Sequence, residues 1–565
     1  NIYDDTYNSV VKMMYLQRCG TELTSDLAGD YAHPVCHAEE ATIYGTDKKI
    51  DVSGGWHDAG DYGRYVVAGA KAAADMLMAY EVAKEKNLTV DNFGTPDSGD
   101  GLSDLMEEAK YELDWMLKLQ DKDSGGVYHK VTCASFPGEV MPQDETEELI
   151  VSPISNAATG DFAAVMALAG RILTKDGEGA FNAAGIQYLD ASKKAWDYLE
   201  QHKAERGFTN PEDISTGEYP DKYDRDEYFW AAAELYKATG DDKYKSEMAS
   251  YVDDEKNLDG LGWQGVGMYG CYAALTNDNL MADSTNLRKT IQDYFIGQAD
   301  EVVEISGRNP YGASLSTTFP WGSNMSIGNN GMILMMANEI APDEKYVACA
   351  KKQLDYLLGV NATGYCFVTG EGYLSPQNPH HRPSQATGKC MPGMLVGGPN
   401  SNLEDPYAKG VLADMPPAKL PDIKKQKDYN EIAEIFYPDM EVKNKDKNGI
   451  FTGGAVNINS IIPEEQKPNA YKFVIDNIDQ YKIRKYCIEN YGLEATENLY
   501  MSKTNSYLNT EYAQQHKIIE NYTQLGGIYS DYFKRKILKQ LKQSKLPNKE
   551  IYKKLFSIKG IFIAS

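Results

Sequence analysis

The chain is 565 residues long and carries 57 Lys and Arg against 83 Asp and Glu, a formal net charge of −26 at pH 7. With 42 % hydrophobic and 25 % charged residues it has an ordinary globular composition, which excludes disorder along the whole chain. The acidic balance excludes nucleic acid as the main partner, because phosphate is repelled. No apolar run approaches the ~18 residues of a membrane span, the best being Gly331 to Ala337, so no membrane partner is expected. The chain begins at Asn1 without an initiator Met or an export-like apolar segment, and reads as a processed or truncated product.

Apolar residues recur at helical spacing through the first 440 residues. Val66, Ala70, Ala73, Leu77 and Tyr80 lie on one helix face, within a helix expected over 62–80. Leu105, Ala109, Leu113 and Met116 mark a second helix. Further helices are predicted over 156–173, 188–201, 227–239, 265–275, 287–305, 323–340 and 345–358. Strand-like alternation is scarce. Long Gly-, Pro-, Asn- and Asp-rich loops join the helices, and such loops on a helical scaffold are usually functional. The simplest architecture is an all-α toroid of helical hairpins.

Near 440–450 the composition shifts toward Lys, Asn, Ile and Tyr. From Glu441 to Ser565, 20 basic residues face 13 acidic ones, and Asp531 to Gly560 reads as a solvated helical tail. Two regions are therefore expected, 1–440 and a basic 441–565 of unknown role.

The densest patch of chemistry is Gly54-Gly55-Trp56-His57-Asp58-Ala59-Gly60-Asp61. Two carboxylates three apart on a tight turn can aim at one spot, where like charge raises one pKa and a shared water is held. That suits a general base, although two turn and helix N-cap aspartates would look the same. His380-His381-Arg382 offers donors for sugar hydroxyls or simply a surface loop. The rings of Tyr128, His129, Trp263 and Trp321 lie in loop-like stretches, where they either stack on pyranose faces or pack in the core.

Cys19, Cys36, His37 and His57 are two thiols and two imidazoles, a closed tetrahedral zinc set without an open position, or else a Cys19–Cys36 disulfide with two bystanders. Thr216-Gly217-Glu218-Tyr219-Pro220-Asp221, followed by Asp224, Asp226 and Glu227, is an oxygen-rich loop that suits calcium, or a solvated acidic loop.

Gly-Trp-His-Asp-Ala-Gly-Asp resembles the aspartate loop of glycoside hydrolase family 9, the cellulase family with an (α/α)6 barrel. Four more segments follow in family order: Asp121 to Thr132, Phe319 to Ser326, Asn378 to Arg382, and Gly397 to Pro406. The resemblance covers about residues 1–440 and is closest to the bacterial branch whose barrel usually follows an immunoglobulin-like module, which is absent here.

The resemblance implies an inverting endo-β-1,4-glucanase acting outside the cell as a monomer, with no organic cofactor. Inversion needs roughly 6.5–9.5 Å between base and acid to admit a water. By position Asp61 is the general base, Asp58 holds the water, His380 is the active-site histidine and Arg382 its partner. The acid pattern places Glu431 nine residues after Asp422, with Glu434 as runner-up. The aromatics of that pattern are replaced by Leu420 and Lys427, and the apolar stretch after the acid is only Ile432 to Tyr437. If that segment has diverged, the chain is a non-catalytic glucan-binding barrel. A third reading is a related (α/α)6 enzyme on another β-glycan, such as an exo-glucosaminidase. Similar Cys/Cys-His/His sites in this branch imply structural zinc at Cys19, Cys36, His37 and His57. Calcium is implied near Thr216, Asp221 and Asp224.

Overall fold

The computed structural model describes residues 3–401, apart from 87, 89–92, 97, 99–102, 177–179, 204–206, 282–285 and 317. Asp422, Glu431, Glu434 and the whole of 441–565 lie outside the described residues. Two units are distinguished, one of 3–316, 324–359 and 366–396, the other of 318–323, 360–365 and 397–401.

Fourteen helices are described: α1 Asp4–Tyr15, α2 Ser25–Ala28, α3 Val66–Glu85, α4 Asp104–Lys118, α5 Asn156–Asp176, α6 Ala180–Gln201, α7 Arg225–Thr239, α8 Asp242–Tyr251, α9 Gly267–Leu275, α10 Asp278–Met281, α11 Leu287–Arg308, α12 Ser323–Ile340, α13 Glu344–Leu357 and α14 Arg382–Thr387. In the larger unit α3, α5, α7 and α9 pack side by side in that order, and α4, α6 and α8 lie against them. The sequences explain the layering. From Ala157 to Ala169 every described side chain of α5 is buried, as is every residue of α7 from Asp226 to Tyr236. A helix apolar all round belongs in a core, whereas α4 and α6 keep a polar face for solvent. Close approach is built in: a Cβ on Gly185 of α6 would lie 2.9 Å from that of Leu173 on α5. α5 is also apolar and long enough to cross a bilayer, yet 89 % of that stretch is buried inside the protein.

Helix ends follow local chemistry. Ser103 caps α4 by accepting from the Met106 amide at 3.3 Å, and α7 stops at Gly240, whose φ of +69° suits glycine. The helix expected over 62–80 instead runs from Val66 to Glu85, because Arg64 and Tyr65 are a strand. That strand, β3, belongs to a sheet with β1 Ala41–Ile43, β2 Lys49–Ile50, β4 Lys130–Thr132 and β5 Ile150–Val151, in the order β2-β1-β5-β4-β3. The β1–β5 pair is parallel and the other pairs antiparallel. The sheet is small, but it hangs the loops after β2, β4 and β5 beside one another.

In the smaller unit, Phe319 and Ser401 exchange backbone and hydroxyl hydrogen bonds, and Ser323 donates to the Pro399 carbonyl at 2.7 Å.

Candidate active site

The aspartate loop, Gly54 to Asp61, is clamped from below. Glu108 and Glu112, four apart on α4, share one helix face. Glu112 accepts from the Trp56 amide and Glu108 from the Trp56 indole, both at 2.7 Å, and Arg18 pairs with Glu108 at 2.8 Å. Burial pushes the Glu112 carboxyl up to about 8. Arg64, fully buried, donates to the carbonyls of Val52 and Gly54. At Gly55, with φ +79°, a Cβ would lie 2.6 Å from the Trp115 ring, so the turn fits only glycine.

Neither aspartate caps a helix: α3 starts after Tyr65 with no side-chain cap. Both Asp58 oxygens are engaged, Oδ1 by the Ala59 amide and Oδ2 by the Tyr219 hydroxyl, each at 2.6 Å. Asp61 is 3 % exposed and accepts from the Tyr65 hydroxyl at 2.6 Å. Burial first, and then the charge of Asp58, push the Asp61 carboxyl up to about 7. A carboxylate that takes protons near neutrality, beside a second carboxylate, can remove a proton from water.

Rings flank the pair. Tyr65 and Tyr219 lie 4.5 Å apart between centroids, and half-buried Trp263 meets Tyr219 edge-on at 5.0 Å. Tyr219 holds a φ of +45°, a left-handed backbone unusual for a ring-bearing residue and a mark of a constrained site. His380 abuts the loop: a Cβ on Gly60 would fall 2.1 Å from its Nε2. The Arg382 amide donates to the Ala59 carbonyl at 3.0 Å, while its guanidinium donates to Gln385 at 2.7 Å. Asp58, Asp61, His380, Arg382 and Trp263 are thus brought together around one loop.

His129 and Tyr128 are engaged by protein partners. His129 is fully buried, bonded to Ser155 at 2.8 Å and to the Glu218 carbonyl at 3.2 Å, and stacked on Phe208. It braces the Tyr219 segment from beneath instead of presenting a free donor. Tyr128 is 8 % exposed and donates to Asp121. Trp321, 58 % exposed, belongs to the smaller unit.

The ligand atoms of Cys19, Cys36, His37 and His57 all lie within 4.8 Å of one another, and all four residues are buried. The thiols of Cys19 and Cys36 are free, so the disulfide is not formed. Cys19 Sγ to His37 Nδ1 and Cys36 Sγ to His57 Nε2 each measure 3.7 Å. A tetrahedral zinc with ordinary bond lengths sets sulfur and nitrogen about 3.6 Å apart, so the donor set fits that ion. His37 Nε2 contacts Glu145 at 3.0 Å, which fixes the ring with Nδ1 toward the cluster.

The three expected calcium ligands, Thr216, Asp221 and Asp224, are all buried. The Thr216 hydroxyl faces the Lys130 ammonium at 3.1 Å and the Thr132 hydroxyl at 2.8 Å. The buried carboxylates of Asp161, Asp226 and Glu227 lie within electrostatic reach of Asp221, and Asp224, at the N-cap of α7, is fully buried. Burial and mutual charge raise the carboxyl pKa values of Asp161, Asp221, Asp226 and Glu227, Asp221 to about 6 and Asp226 to about 7. Asp161, missed in the sequence because it sits inside the apolar pattern of α5, joins this group.

A helical-hairpin core that displays paired carboxylates and rings on its loops suits an enzyme that cleaves glycosides. The profile of Glycosyl hydrolase family 9 matches residues 3–440. The chain belongs to that family. It is 36 % identical over 437 residues to a cellodextrinase of Butyrivibrio fibrisolvens, covering 74 % of this chain and 78 % of that protein. It is 35 % identical over 411 residues to endoglucanase D of Acetivibrio thermocellus, covering 70 % and 64 % respectively. Among solved structures, a thermostable endoglucanase from Alicyclobacillus acidocaldarius superposes with a TM-score of 0.68 at 35 % identity, covering 74 % of this chain and 78 % of that one. The fold is therefore the all-α (α/α)6 barrel, and the chain is a glycoside hydrolase.

Proposed function

We propose that the chain hydrolyses internal β-1,4-glucosidic bonds of cellulose or a related β-glucan, with inversion at the anomeric carbon. The observation that carries this reading is the Asp58–Asp61 pair, each aspartate held by its own tyrosine hydroxyl at 2.6 Å. Asp61 takes a proton from a water, whose oxygen attacks the anomeric carbon as the bond to the leaving sugar breaks. Asp58, fixed by Tyr219 and the Ala59 amide, holds that water in line. Glu431, assigned by its sequence pattern alone, gives its proton to the leaving glycosidic oxygen. His380 and Arg382 bond sugar hydroxyls, and Trp263 offers a ring face to the chain. A polymeric glucan cannot enter a cell, so the site of action is extracellular.

Two resident metals accompany this reading. Cys19, Cys36, His37 and His57 would hold zinc, which with four protein ligands supplies a crosslink and no chemistry. Thr216, Asp221 and Asp224, with the carboxylates of Asp161, Asp226 and Glu227 in electrostatic reach of Asp221, would hold a hard cation such as calcium. Calcium is then expected to raise the melting temperature of the chelator-treated full chain by several degrees, and Asp161→Asn to abolish the response. An unchanged melting curve would remove the cation from this cluster.

The test of the function follows reducing ends and anomers during digestion of a soluble β-glucan. Proton NMR should show the α-anomer first, and Glu431→Gln should stop the release. Release of the β-anomer first would contradict inversion, cleavage surviving Glu431→Gln would remove that residue, and no release by the parent would favour a glucan-binding barrel.

A further inference from the structure

We infer that Tyr65 and the buried Lys130 are positioning residues for Asp61, with the Tyr65 hydroxyl fixing the carboxylate and Lys130 fixing Tyr65 while balancing the local negative charge. This rests on the reading of Asp61 as general base. The seat of Tyr65 is built closely. Its ring is 4 % exposed, and a Cβ on either Gly63 or Gly217 would lie within 2.6 and 2.9 Å of its hydroxyl oxygen, respectively. The hydroxyl therefore has little freedom besides its 2.6 Å bond to Asp61 Oδ2.

Lys130 completes the arrangement from the neighbouring strand, since Tyr65 and Lys130 are paired residues of β3 and β4. It is fully buried, and its ammonium donates to the Gly217 carbonyl at 2.6 Å and to the Thr216 hydroxyl at 3.1 Å. The same nitrogen lies 5.6 Å from the Tyr65 ring centroid, within cation–π range. One side chain thus ties the backbone leading to Tyr219 to the ring that holds Asp61.

The groups acting electrostatically on Asp61 explain the need. Asp58 on its own loop and Glu145 between β4 and β5 both repel a second negative charge there. Tyr219 is in reach from its loop, and His380 lies across Gly60. Against the two anions, Tyr65 donates a hydrogen bond and Lys130 supplies a positive charge. Both favour the ionised base.

The experiment is the pH dependence of kcat/KM for the full chain and Tyr65→Phe on a soluble β-glucan. Phenylalanine keeps the ring and removes only the donor. The acidic limb should move up by about one pH unit, the value expected for one hydrogen bond to a charged acceptor. KM should stay close to the parent, and the loss of kcat on the plateau should be small beside that of Asp61→Asn. Lys130→Met should move the limb the same way, and its melting temperature is measured in parallel because it strands two acceptors. Should that variant fail to fold, Tyr65→Phe decides alone. A uniform loss of kcat with an unmoved limb would overturn the inference and leave Tyr65 a packing residue. Activity persisting in Asp61→Asn would instead overturn the reading of Asp61 itself, a separate and recognisable failure.

Discussion

Asp61→Asn should lower kcat/KM of the full chain on a soluble β-glucan by about a thousandfold or more, while the protein stays folded. General-base catalysis contributes ~10²–10⁴ in rate, and an amide cannot take the proton. The loss should be in kcat, because Asn preserves the shape of the loop and its contacts with substrate. The parent's own pH profile supplies a check. Burial and Asp58 raise the Asp61 pKa to about 7, so activity should fall as pH drops below that region, well above the ordinary carboxylate range. The stability sign runs the other way. A carboxyl whose folded pKa is raised favours the fold when protonated and opposes it once ionised, so the cost appears as pH rises from the unfolded pKa of about 4 through the folded value. Replacing Asp61 by a neutral residue removes that cost, and the melting temperature at pH 7 should hold or increase. A variant with lost activity and a lowered melting temperature would mean that the loop had collapsed, and would say nothing for a base. Retained activity at pH 7 would take Asp61 out of the mechanism.

The helices were readable wherever one face or all faces were apolar. The predicted span 323–340 is α12, and Asn156, the expected start of α5, is its first residue. α1 and α8 were not readable. Only Val11 and Tyr15 are buried on α1, and α8 buries Tyr244, Met248 and Tyr251 within a mostly polar stretch. Strands of two or three residues are too short for alternation to register. The aspartate loop was legible because its glycines and carboxylates are contiguous, and the Cys/His cluster because thiols and imidazoles are scarce. Tyr65, Tyr219 and Lys130 were hidden for the opposite reason. They are ordinary strand and loop residues until β3 and β4 pair and bring the Thr216–Tyr219 segment over Asp58. Spacing along the chain also cannot show that Lys130, from a strand, faces the Thr216 hydroxyl.

Loss of the metal at Cys19, Cys36, His37 and His57 should lower the melting temperature of the full chain on the order of 10 °C, and activity should fall with it. The argument starts from connectivity. The cluster joins three stretches of chain, around residues 19, 36–37 and 57; the first and third are also tied to α4 through Arg18 and Trp56, whereas beside the cluster His37 is held through Glu145. The Cys19 amide donates to the Gly55 carbonyl at 2.7 Å and the His57 amide to the Gln17 carbonyl at 2.8 Å. His37 is kept at a φ of +47°, a conformation that the surroundings must enforce. Without an ion, two thiols and two imidazoles face one another in a buried space, and the stretch at 36–37 has the least to keep it there. His57 directly precedes Asp58, so movement there reaches the water-holding carboxylate within one residue. Metal analysis of the purified chain should give one zinc per molecule. Chelation should release it together with two thiols that react with a disulfide reagent, and Cys19→Ser with Cys36→Ser should reproduce the destabilisation without chelator. A zinc-free protein that contains a Cys19–Cys36 disulfide would replace the metal by the bond that the free thiols argue against. Equal melting temperature and activity after complete zinc removal would show that the protein's own packing holds the loop.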